Sequence, residues 1–151
     1  MTSLPVIPSR TNPCLERGCS ACCHDTEMLL TEDDVSRLRA LRPGVEFFFE
    51  ADDGHLQLRT RDGPPAPRMM GRPCIFLDAA GRCTVHDARP AGCRLYPAVW
   101  DGDAHAARLD GEHCPHTDAF LLPRATADAV RRLGHTLEQE RQRRSGRGRT
   151  G

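Results

Sequence analysis

Cys14 to Asp25 reads CLERGCSACCHD, four cysteines within ten residues, with Cys22 and Cys23 adjacent. Such a cluster is a disulfide framework, a redox centre or a cradle for a metal. Adjacent cysteines suit disulfides poorly: a Cys22–Cys23 bridge needs an unusual backbone, and two bridges leaving one point would crowd it. Thiolate is the soft ligand that zinc, iron and iron–sulfur clusters prefer, and short spacings bring two sulfurs of one turn to one centre. Cys14, Cys19 and Cys22 also match the C-x4-C-x2-C part of the plant-type ferredoxin pattern, with Cys23 left over. Cys19 and Cys22 form a C-x-x-C, but no βαβ pattern surrounds it.

A second group follows at Cys74, Cys83 and Cys93, and an eighth cysteine stands at Cys114. A distant second group closes a long loop, which is how a metal stabilises a small core. The core needs such help. Leu, Ile, Val and Phe number 28 of 151 residues, a thin apolar complement for this length. Cys114 is equally well read as a small buried hydrophobe.

Lys plus Arg and Asp plus Glu both number 21, and every basic residue is Arg. Zero net charge predicts no general attraction to nucleic acid or anionic lipid. The opening MTSLPVIPSR has no charged region followed by an apolar one, and no run approaches the length of a membrane span. The expectation is a cytoplasmic chain whose thiols stay reduced.

LLTEDDVSRLRAL predicts a helix with Thr31 as N-cap, acids in its first turn, an apolar stripe of Val35, Leu38 and Leu41, and a stop at Pro43-Gly44. VEFFFEADDGHLQLR predicts a hairpin turning at Asp53-Gly54, with the three Phe split between core and a covered second face. PCIFLDAAGRCTVH predicts a second hairpin through Ala80-Gly81, and AVWDGDAHAARLDG a third through Asp101-Gly102. Pro90 suits the first position of a short helical turn carrying Cys93. From Thr126 a helix places Val130, Leu133 and Leu137 on one face, with Asp128 in its first turn. RQRRSGRGRTG then reads as a basic disordered tail. The tail is a candidate contact for nucleic acid or an acidic protein partner, although a solvated tail is the simpler reading. The expected class is α+β: two helices and short hairpins organised around the cysteines, with a metal-binding domain over 1–122 and the helix and tail over 123–151.

CSACC with its following LTEDDVSRL helix, together with PCIFLDAAGRCTVHDARPAGCRLYP, resembles the CxxCxxCC-type cysteine-cluster family, which includes the YkgJ-like group and is named for zinc or iron chelation. The resemblance runs from Cys14 to Pro97. The spacing after Cys14 is x4 where the commonest family form has x2, and Cys114 lies beyond the matched part. The resemblance implies that Cys14, Cys19, Cys22, Cys23, Cys74, Cys83 and Cys93 bind a metal ion or cluster; Cys114 joins them as a candidate. Some longer relatives are flagellin lysine methylases, but no Gly-rich loop for S-adenosylmethionine is evident here.

Several neighbours have supporting roles to play. Thiolate ligation leaves a centre anionic, so Arg89 and Arg94 could donate to sulfur from outside the ligand set, or instead pair with Asp87 or Asp78. His86 reads as packing beside Cys83; His24, His113 and His116 are outside candidates for ligation; Tyr96 and Trp100 read as core. The expected function is holding zinc, iron or an iron–sulfur cluster. The alternative is a redox or protein-modifying enzyme component.

Overall fold

The computed structural model describes residues 20–25 and 27–149. Cys14 and Cys19 lie outside them. Three α-helices and two small antiparallel sheets make an α+β fold among these residues. None of the helices is long and apolar enough to cross a membrane.

The first sheet has the order β1-β3-β2, built from β1 (Leu29–Leu30), β2 (Phe48–Glu50) and β3 (Leu56–Leu58). The β2–β3 hairpin pairs Phe48 with Leu58 and Glu50 with Leu56. Its turn closes through Ala51 N–H to His55 O at 2.8 Å, and Gly54 takes the positive φ of +90° that the turn requires. Leu30, Leu56 and Leu58 are buried from one face, joined by Phe47. Phe48 and Phe49 are half-buried. Phe48, opposite Leu58, packs on the core side with the Arg39 guanidinium over it at 5.5 Å, and Phe49, opposite Gln57, carries the second face, covered by the Arg59 guanidinium at 5.3 Å. Strand β1 escaped sequence reading: two leucines have no periodicity, and only pairing with β3 makes them a strand.

Helix α1 (Glu32–Leu41) begins as predicted. Thr31 and Asp34 form a reciprocal capping box, with Asp34 N–H donating to Thr31 Oγ1 and Thr31 N–H to Asp34 Oδ2, both at 3.0 Å. Val35 and Leu38 are buried, but Leu41 is 45 % exposed, contrary to the expected stripe. Steps of three residues fall about 60° short of a full turn each time, so Leu41 has rotated off the buried face.

The segment around Phe76–Thr84 turns back as expected but forms a single bridge, Leu77 opposite Cys83, rather than two strands. Asp78 Oδ1 accepts from Ala80 and Arg82 N–H and closes the loop, and Gly81 has φ +89°. Pro90 is the N-cap, not the first residue, of α2 (Ala91–Leu95). The third hairpin is present as β4 (Ala98–Asp101) and β5 (Ala106–Leu109).

Helix α3 (Arg124–Arg149) starts before Thr126 and continues as far as Arg149 of the stretch expected to be a disordered tail, whose last two residues lie outside the described residues. Starting earlier moves Asp128 out of the first turn. The extension is tied down at long range. Arg144 Nε and Nη2 donate to Gly54 O, Arg144 Nη1 pairs with Glu32 Oε2 at 3.0 Å, and Glu32 N–H donates to Glu140 Oε1. Polar helices persist when tertiary contacts supply what propensity does not.

Two apolar clusters result. One joins Leu30, Val35, Leu38, Phe47, Phe76 and Val85 with their neighbours, and the other joins Leu95, Ala98, Ala129 and Val130.

Candidate metal centre

Cys22 and Cys23 sit in a 3-10 turn, Ala21–Cys23, that points adjacent sulfurs to the same side, with Sγ–Sγ 4.0 Å. The turn is anchored behind the sulfurs by His24. Its Nδ1–H donates to Ser20 O at 2.9 Å, and its Nε2 accepts from Ala66 N–H at 3.1 Å. With both ring nitrogens engaged and the residue buried, His24 is a brace rather than a ligand.

Backbone pairing then brings the second cysteine group to the first. Cys74 N–H donates to Cys23 O at 2.6 Å, Asp25 N–H donates to Arg72 O at 2.8 Å, and His24 bridges Pro73. Cys83 comes from the closed loop opposite Leu77. Cys93 comes from α2, whose first N–H, Ala91, donates to the buried Asp34 Oδ1 at 3.1 Å. One carboxylate therefore caps α1 and positions the helix that carries Cys93.

Cys22, Cys23, Cys74, Cys83 and Cys93 line one cavity of ≈500 Å³. Sulfurs separated by up to 71 residues in sequence thus share one space. Among the described residues, no three His, Cys, Asp or Glu side chains converge closely enough as placed to hold a single ion. Cys114 is buried elsewhere and does not line this cavity.

Burial and the close approach of the two adjacent sulfurs dominate the electrostatics of these thiols. Contact with Cys23 pulls the Cys22 thiol below its ordinary value, and the same contact pushes Cys23 up. Burial raises Cys74 to about 11, raises Cys83, and raises Cys93 well above its ordinary value. Buried thiolates are costly alone, and a bound cation reverses that cost.

Arg89 and Arg94 also line the cavity, and among the described residues neither pairs with Asp78 or Asp87. Arg89 Nε donates to His86 O, and its charge helps lower Cys22 and partly offsets the rise of Cys83 and Cys93. Arg94 Nε is buried with no hydrogen-bond partner. An orphaned donor among five thiols is what a site for an anionic metal–thiolate centre leaves behind, so the residues fit such a group. His86 lines the cavity with its side chain 44 % exposed and lies 3.8 Å from Asp87.

Sequence reading missed one polar chain beside this cavity. Tyr96 Oη donates to Asp110 Oδ2 at 2.7 Å, and His113 Nδ1 stands 3.1 Å from the same oxygen. Burial raises the Tyr96 hydroxyl's pKa, reinforced by that hydrogen bond. Burial pushes Asp110 up, but Tyr96, His113 and Glu112 N–H outweigh it and hold the carboxyl below its ordinary value. Nothing in the sequence linked positions 96 and 110; the β4–β5 hairpin brings them together.

No curated protein and no solved structure matches the chain significantly. The CxxCxxCC family, described as "Putative zinc- or iron-chelating domain", matches residues 13–115, a span that holds all eight cysteines and every wall of the sulfur-lined cavity but Phe120. With more than half of its length matched, the chain belongs to the CxxCxxCC family of metal-chelating cysteine-cluster domains.

Proposed function

We propose that the protein holds an iron–sulfur cluster on cysteines drawn from Cys22, Cys23, Cys74, Cys83 and Cys93, with Cys14 and Cys19 completing the set. The carrying observation is the shared cavity of ≈500 Å³. A lone zinc ion with sulfurs at about 2.3 Å would fill a small fraction of it, whereas a multi-iron cluster with Cys ligands, being larger than a single ion, uses more of that space. Arg89 and Arg94 offset the net negative charge of the ligated cluster, and the unpartnered Arg94 Nε gains a sulfur acceptor.

A mononuclear zinc site is the second reading. It is favoured by the Cys22–Cys23 separation of 4.0 Å, close to the sulfur–sulfur distance around one tetrahedral zinc. Protein purified without oxygen and assayed for iron, zinc and acid-labile sulfide separates them. Brown protein with sulfide matching iron supports the cluster. Colourless protein with stoichiometric zinc and no sulfide overturns it.

A further inference from the structure

The sulfur-lined cavity of ≈500 Å³ adjoins a larger one of ≈840 Å³, and three residues line both: Cys22, Met28 and Tyr96. The boundary between the two spaces therefore runs through these side chains. Of the five thiols, Cys22 alone also lines the larger cavity; Cys23, Cys74, Cys83 and Cys93 line only the smaller. Tyr96 is held in the boundary by its hydrogen bond to Asp110. Met28 has no such tie, and a flexible thioether is the side chain that fills an irregular gap.

The place of Met28 is set from two sides. Met28 O accepts from Leu58 N–H at 2.9 Å, which fixes the backbone just before β1, and the side chain packs against the first apolar cluster. Gly92 of α2 meets the thioether. A Cβ built at Gly92 would overlap Met28 Sδ, while Leu29 O of the backbone stays 4.0 Å away. Gly92 is helical and has no left-handed φ that would call for a glycine. Glycine is unfavourable there relative to alanine, so the close approach of the thioether is what it permits. Gly92 lines the larger cavity, and its neighbour Cys93 lines only the smaller. Met28 thus stands where a gap would open one space onto the other.

We propose that Met28, seated on Gly92, is the partition between the two cavities, and that it leaves Cys22 as the one thiol through which small molecules in the larger space reach the centre. Metal exchange and attack by small ligands then pass by Cys22, while Cys93 is sheltered. The sheltering of a metal centre rests on the ligation proposed above; the partition itself does not.

The test uses the full-length protein as purified, with its metal content measured. Alkylation of each cysteine by iodoacetamide at one pH is followed by mass spectrometry. Met28→Ala should speed alkylation of Cys93 about tenfold, the order expected when a sheltered thiol becomes accessible. Cys114, buried away from the sulfur cavity, should keep the parent rate. Met28→Leu, which keeps the volume, should match the parent. Gly92→Ala displaces the thioether and should also speed Cys93, but add nothing in the Met28→Ala background. A rise at Cys114 by the same factor marks a loosened fold in Met28→Ala, and Gly92→Ala then carries the test. Where the protein holds metal, both variants should lose it to EDTA about tenfold faster than the parent. Protein without metal refutes the ligation reading, and alkylation still decides the partition. Cys93 alkylated at the parent rate in a folded variant, Met28→Leu as reactive as Met28→Ala, a double variant showing the sum of both effects, or metal lost at the parent rate from a variant that exposes Cys93 would each overturn the proposal.

Discussion

Replacing Asp34 by Ala tests whether the cysteine helix is positioned from α1. Asp34 is 1 % exposed, and its oxygens accept from Thr31 N–H, Ala91 N–H and Arg37 Nη2. Removing the cap costs about 1 kcal/mol. Stranding Ala91 N–H at the start of α2 costs about 1–2 kcal/mol more. Arg37 is 30 % exposed, so losing its ion pair adds about 0.5 kcal/mol. The expected total for Asp34→Ala is about 3 kcal/mol. Asp34→Asn keeps one carbonyl oxygen and should lose about half of that. Urea denaturation of metal-free, reduced protein measures the loss without contributions from ligation. Because α2 carries Cys93, Asp34→Ala should also release bound metal to a chelator faster than the parent does, whereas Arg37→Ala should cost under about 1 kcal/mol and leave release unchanged. The reasoning fails if Asp34→Ala stays within about 1 kcal/mol of the parent, or if Arg37→Ala reproduces its effect on metal release.

Three further predictions concern other parts of the molecule. Cys83→Ser or Cys22→Ser should abolish metal content and broaden the thermal transition together; a variant that melts like the parent after losing its metal would refute the structural role of the centre. Tyr96→Phe should destabilise by about 1 kcal/mol, measured as a function of pH. Because the Asp110 carboxyl is held below its ordinary 3.8, that difference is present above pH 3.8 and shrinks as pH falls further. Because the Tyr96 hydroxyl is raised above its ordinary 10.0, the difference shrinks again as pH rises past 10.0; a pH-independent difference would refute the coupling. Arg144→Ala should cost about 1–2 kcal/mol and speed amide exchange beyond residue 138 of α3, with no change near Val130. Uniform exchange along the helix would contradict the long-range anchoring.

Local chemistry was the legible part of this sequence. Thr31 with Asp34, Asp53 with Gly54, and Asp101 with Gly102 each carry their turn or cap within a few residues, and the structure follows them. The cysteine groups were legible as one constellation because spacing and residue type state the chemistry, and five of their sulfurs do share a cavity. Most of the missed features depend on partners far along the chain, while the exposure of Leu41 and the place of Pro90 are local misses. Asp34 serves as a local cap and also holds Ala91, 57 residues away. The polar end of α3 looks disordered in isolation but is helical because Arg144 reaches Glu32 and Gly54. His24 looks like a ligand beside two cysteines until Ser20 and Ala66 are seen to occupy both of its nitrogens.

The two hydrocarbon clusters have consequences for how the molecule melts. Phe76 and Val85 of one cluster face the sulfurs from one side, while Cys93 and Tyr96 flank Leu95 of the other. Cys74 belongs to the first cluster and Cys23 and Cys83 pack against it, whereas Cys93 stands two residues from Leu95 of the second, so a metal held by all of them would tie the two halves together. Calorimetry of stripped protein should resolve two overlapping heat-absorption peaks that merge into one on reloading.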